Sequence, residues 1–192
     1  MRRLVVRIAI VVAAAGLSAC AATSSPATEA PSTPATPEAS MSAFTLTSTA
    51  FAANGQIPKR FTCDGEDTSP DLAWSGVPDG TAALVLLVDD PDARGWVHWI
   101  VLDLDASASG GLPPGVSRSP DAPVQGTNDF RRVGWGGPCP PSGTHRYTFT
   151  LYALGVRLGL SGEPNGATVR QALARADVLG TAVLEATYRR GG

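Results

Sequence analysis

The chain has 192 residues, with 15 Lys and Arg against 17 Asp and Glu and a formal net charge of −2. That is enough for one domain of ordinary size with appendages, and the near balance excludes a cationic nucleic-acid surface as its organising feature. The 21 glycines, 16 prolines and 17% charged residues point to a loop-rich β protein.

The N-terminus reads as an export signal. Arg2, Arg3 and Arg7 precede an apolar run from Ile8 to Leu17, and Leu17-Ser18-Ala19-Cys20 follows. The run is too short for a comfortable membrane span. The ending resembles a bacterial lipoprotein signal. That resemblance implies that residues 1–20 are a signal peptide and that Cys20 is acylated and becomes the mature N-terminus. The protein would then be held at the cell membrane on its extracytoplasmic side. The alternatives are an ordinary signal peptide or an uncleaved anchor. Residues 21–41 are Ala, Thr, Ser, Pro and Glu, with Met41 at the end and no aromatic residue. Such a segment buries too little to order itself and reads as a tether, with a reach of at most ~60 Å at ~3.1 Å per residue.

The folded domain is expected over residues 42–192. Phe44-Thr45-Leu46-Thr47 alternates as a strand does. Leu72-Ala73-Trp74 is a short apolar piece ahead of a turn at Gly76–Gly80. The run from Ala82 to Asp89 suits a strand buried on both faces, and Trp96 to Leu104 is a second such run. Residues 105–127 read as loop. Arg146 to Leu154 is a third central strand, and Ala182 to Arg189 a last one. One helix is predicted from Thr168 to Leu179, capped by Thr168 and stopped by Gly180. The pattern predicts a mainly antiparallel β-sandwich with a small helical part near the C-terminus.

Both histidines of the chain lie in two motif-like stretches. Asp89-Asp90-Pro91-Asp92-Ala93-Arg94-Gly95-Trp96-Val97-His98-Trp99 is the first. Gly134-Trp135-Gly136-Gly137-Pro138-Cys139-Pro140-Pro141, ending in His145-Arg146-Tyr147, is the second. With Phe61–Gly65, Ser69-Pro70 and Leu72-Ala73-Trp74, this ordered set resembles the phosphatidylethanolamine-binding protein family, in its bacterial Raf-kinase-inhibitor-like branch. The likeness runs from about Phe44 to Tyr188. It implies the sandwich architecture and one small surface pocket lined by Asp90, Asp92, His98, Gly137, Pro138, Pro140, His145 and Tyr147. Arg94, Arg131 and the Asp177-Val178-Leu179 stretch depart from the family pattern. Arg94, Arg131 and Arg132 would add positive charge to the rim.

Strand parity puts Leu84, Leu86, Val88 and Asp90 on one face, His98 with Trp96 and Ile100, and His145 with Tyr147 and Phe149. A carboxylate near an imidazole favours its charged form, which can donate to an anion. Asp90 or Asp92 could fix a tautomer, and Trp96, Trp99 and Trp135 could supply apolar walls. A small anion or phospholipid headgroup is the expected ligand, bound without catalysis and without cofactor or metal. A protein partner, such as an envelope protease that the domain would inhibit, is the alternative. Hydrolysis through Ser142 lacks a Gly-x-Ser-x-Gly elbow. Each residue alone also has a bland reading: a packed histidine, a turn-forming aspartate, a core tryptophan. Cys63 and Cys139, an even pair in an exported domain, favour a disulfide; two buried thiols are the alternative.

Overall fold

The computed structural model describes residues 43–190. The expected signal peptide, tether and Cys20 anchor lie outside these described residues. Among these described residues, seven strands form two antiparallel sheets. The smaller has the order β1 (Thr45–Thr47), β2 (Leu72–Ser75), β5 (Ser109–Leu112). The larger has the order β4 (Trp96–Leu104), β3 (Ala83–Asp90), β6 (Thr144–Leu154), β7 (Val178–Arg189).

Strand β3 is apolar along both faces because both faces are covered. Leu84, Leu86 and Val88 point into the core between the sheets, with Leu46, Leu72 and Trp74 from the smaller sheet and Phe149 and Leu151 from β6. Val85 and Leu87 point the other way, under helix α1 (Gly166–Leu173), and meet its Val169 and Leu173. Burying each large side chain in these two layers contributes about 1.5–3 kcal/mol.

Three element readings need correction. The 105–127 stretch contains β5, whose Ser109-Gly110-Gly111 run has almost no side chain to signal a strand. It exists because β2 pairs with it, and Trp74 lies against Gly110 so closely that a Cβ there would sit 2.8 Å from the indole. The helix starts two residues earlier than predicted and ends at Leu173. Asn165 is the cap, its Oδ1 accepting from Thr168 N–H at 3.0 Å, and Thr168 lies inside the first turn. Beyond the helix the sheet wins: Gly155 N–H donates to the Asp177 carbonyl at 2.9 Å, and Val178 and Gly180 pair with Leu154 and Ala153 as the start of β7.

Candidate functional site

The site forms at one end of the larger sheet, where β3 stops. Asp90 ends β3 and caps the short 3₁₀ turn Pro91–Ala93, its Oδ1 accepting from Ala93 N–H at 3.0 Å. Arg94 and Gly95 then take left-handed conformations, at φ of 60° and 75°, to return the chain into β4. Both β4 and β6 pair with β3, so His98 and His145 flank Asp90 from opposite sides.

The β3–β4 pairing jumps from Val88↔Trp99 to Asp89↔Val97 and leaves His98 unmatched. This is a β-bulge, and it sends His98 and Trp99 to the same side of the sheet. His98 therefore does not share a face with Ile100, as simple alternation predicts; Ile100 packs in the helix-side cluster and Trp99 in the inter-sheet core. In β6 the alternation is regular, and Tyr147 and Phe149 are both core residues.

The two imidazoles are each held by one nitrogen. His98 Nδ1 lies 2.6 Å from the Gly136 carbonyl, and His145 Nδ1 lies 2.7 Å from Asp90 Oδ2. Both partners are acceptors, so both Nδ1 atoms carry hydrogen, and Nε2 is left as the nitrogen for another partner. His98 is 2% exposed and Asp90 3% exposed. Burial depresses the His98 pKa, against the pull of Gly136 and Asp90 toward the charged form. The expectation of a charged histidine is corrected for this residue, since desolvation outweighs the nearby carboxylate. Burial, and then the charge of Asp90, push the Tyr147 hydroxyl far above the usual tyrosine range. Its Oη is buried with no partner in hydrogen-bonding geometry among the described residues.

Of the expected pocket residues, Asp90, His98, Pro140 and His145 line one cavity of about 210 Å³. Ala93, Trp96, Phe130, Cys139 and Pro141 complete it. Asp92 stands outside, exposed, accepting from Arg146 N–H at 2.8 Å; that bond holds its carboxyl below the usual range. Gly137 and Pro138 are buried behind the wall, and Tyr147 lies beneath it. Trp99 and Trp135 are core residues, 0% and 3% exposed, so Trp96 alone of the three walls the cavity. Arg132 is drawn off the rim to Asp67, at 3.2 Å.

Phe130 was not legible as a site residue. It meets Trp96 and His98 edge-on, at centroid distances of 5.4 and 5.3 Å. Asp67 was missed as well. Its Oδ1 accepts from Gly137 N–H at 2.6 Å, and its Oδ2 takes Arg118 and Arg132. A Cβ on Gly137 would lie 2.5 Å from the Phe61 carbonyl and 2.7 Å from Asp67 Oδ1, so glycine is required for that approach. The Cys63–Cys139 disulfide fastens the same loop, with Cα atoms 5.4 Å apart. Among the described residues no group of three or more His, Cys, Asp or Glu is placed to hold a metal.

These features define a two-sheet antiparallel β-sandwich with a histidine-and-carboxylate pocket beside a proline-rich loop. The family model for phosphatidylethanolamine-binding protein matches residues 47–189, and the chain belongs to that family. A UPF0098 protein of Methanothermobacter thermautotrophicus is 45% identical over 150 residues, covering 76% of this chain and 99% of its own. A Mycobacterium tuberculosis protein named as a candidate lipoprotein, LppC, is 42% identical, covering 73% of this chain and 70% of its own. The crystal structure of Escherichia coli YbcL, described as a member of the mammalian family, superposes with a TM-score of 0.70 at 34% identity, over 77% of this chain and 99% of that one.

Proposed function

We propose that this is a binding protein whose cavity takes a small phosphorylated group, without turning it over. The observation that carries this reading is the matched tethering of the two imidazoles by Nδ1, which leaves both Nε2 atoms for a ligand. A neutral His98 can accept a hydrogen bond at Nε2. His145, when protonated, can donate from Nε2 while Asp90 balances the charge at the other nitrogen. An acceptor beside a donor suits a hydrogen phosphate or a phosphomonoester, which offers both a P–OH and a P–O⁻. The volume of about 210 Å³ admits a headgroup and is below the range of about 300–1,000 Å³ of drug-sized sites. Trp96, Phe130 and the prolines would shed water around it.

Titration calorimetry with phosphoethanolamine tests this. Saturable binding that weakens by about tenfold or more in His98→Gln and His145→Gln, the loss of one charged hydrogen bond, supports it. Equal binding by all three proteins contradicts it.

Membrane tethering through Cys20 belongs to the same proposal, supported by the lipoprotein-like ending at Leu17–Cys20 and by the name of the mycobacterial relative. Metabolic labelling with a palmitate analogue should mark the chain and fail to mark Cys20→Ser. A second reading, docking of a protein segment such as an envelope protease loop, is favoured by Trp96, 40% exposed at the cavity. Partner capture that survives His98→Gln would select it.

A further inference from the structure

At the same end of the larger sheet lies a second, larger hollow that the reading above does not use. β6 and β7 pair His145 with Tyr188 and Thr144 with Arg189, so this hollow begins one strand away from the histidine pocket. It has a volume of about 650 Å³ and lies between the 56–59 segment, Asp64 and the end of β7 at 188–190. Its walls are fixed by backbone bonds. Ile57 N–H donates to the Thr187 carbonyl and Asn54 N–H to the Glu185 carbonyl, both at 2.7 Å, so the 54–57 segment rides on the edge of β7. The turn that carries Lys59 is closed by Thr62, whose N–H and Oγ1 donate to the Lys59 carbonyl at 3.0 and 2.8 Å.

The charge of the lining is lopsided. Among the described residues Asp64 is the one carboxylate of the lining, and both its oxygens are taken: Oδ2 by Tyr188 Oη at 2.8 Å and Oδ1 by Arg190 Nε at 3.1 Å. Its negative charge is thus answered within the wall. Among the described residues, no carboxylate lies within ion-pair distance of Lys59 or Arg189. Lys59, Arg189 and Arg190 set against Asp64 leave a surplus of two positive charges, three minus one. Gln56 adds a neutral amide, and the hydroxyl of Tyr188 is already committed.

We propose that this hollow is a second anion site, separate from the histidine pocket, for a phosphomonoester dianion. A phosphomonoester carries about −1.5 to −2 charges at neutral pH, which matches the surplus. An exposed pair is worth only about 0.2–1 kcal/mol, so a single cation would not hold a ligand; the hollow relies on Lys59 and Arg189 together, since Arg190 is already paired with Asp64. The binding must be open to solvent and sensitive to salt.

The test is an NMR titration of the ¹⁵N-labelled full chain carrying Cys20→Ser, with glycerol phosphate at low ionic strength. The expected result is saturable movement of the Gln56, Lys59, Tyr188 and Arg189 signals, abolished by about 0.5 M salt. Lys59→Ala with Arg189→Ala should weaken that response by about tenfold while leaving the His98 and His145 signals responsive. Both replaced side chains are exposed, and an unchanged amide spectrum confirms folding. Unmoved groove signals, or a double variant that binds as well as the parent, overturns the proposal. Movement of the histidines alone keeps the pocket and removes the groove; movement of the groove alone does the reverse. In a second arm, sedimentation with phosphatidic acid vesicles that is lost in the double variant assigns a lipid source to the phosphomonoester. Binding of glycerol phosphate alone assigns a soluble one.

Discussion

The histidine pocket and the Lys59–Arg190 hollow lie one strand apart, yet the first keeps its polar groups buried and mutually bonded while the second leaves cations exposed. In the pocket, Asp90 serves three neighbours at once: it caps the turn, fixes His145 and sits beside Tyr147. Its surroundings are dry enough that burial lowers the His98 pKa against the pull of the nearby carboxylate. In the hollow, solvent screens every charge, and affinity can come only from their number. A pocket of the first kind selects by shape and by the pattern of donors and acceptors. A hollow of the second kind selects by net charge.

The cystine is the element that separates the two regions, since Cys139 lines the pocket and Cys63 adjoins Asp64 of the hollow. Breaking it should have the largest effect on the whole. With a sequence separation of 76 residues, loss of the crosslink in Cys63→Ala with Cys139→Ala is expected to cost about 4 kcal/mol of stability, measured by urea unfolding. The loop would still be tied by Asp67 to Gly137, so phosphate binding should weaken more than secondary structure changes. Equal stability with and without the crosslink would mean that these bonds suffice.

Asp90→Ala should come next, at about 2–3 kcal/mol, from a lost cap worth ~1 kcal/mol and a lost charged hydrogen bond worth ~1.5 kcal/mol. The corresponding change in the hollow, Arg189→Ala, should leave the unfolding midpoint within about 0.5 kcal/mol of the parent. Acidification separates the regions in the same way. The folded pKa of His98 lies below its unfolded value, so the unfolded chain binds more protons between the two. Stability is therefore complete above about 6.5 and falls as pH drops toward the folded value. His98→Gln should remove that part of the pH dependence in denaturation curves; an unchanged slope would show that His98 is not held neutral. Tyr147→Phe should leave stability unchanged or raise it in urea unfolding, because the hydroxyl it removes is buried and unpartnered; a clear loss of stability would show that the hydroxyl has a partner.

The sequence carried the sheet well where pairing is regular. Parity puts Leu84, Leu86 and Val88 together on one face of β3, and Tyr147 with Phe149 on one face of β6; the structure keeps each set together and turns both into the inter-sheet core. It failed at His98, because a bulge breaks the alternation and nothing local in Val97-His98-Trp99 announces one. Strand β5 was hidden because its glycines have no pattern of their own and depend on Trp74 across the sheet. The predicted helix runs past Leu173 because Ala174 to Leu179 has helical composition, while β6 offers the competing partner that the chain takes. Asp67 and Phe130 carry no local signal of their roles, which depend on contacts with residues far along the chain. The hollow carries no local signal for the same reason, since Lys59 and Arg189 meet only through the 54–57 segment on the edge of β7.

Two imidazoles fixed through Nδ1 are proposed to offer Nε2 to one phosphoryl group. Long-range ¹H–¹⁵N spectra of the histidine rings, recorded with and without phosphoethanolamine, read this arrangement atom by atom. Both rings should be Nδ1–H before addition, and on saturation both Nε2 signals should move together while Nδ1 stays protonated. An Nε2–H tautomer in either free ring, or Nε2 signals that do not respond, would contradict it.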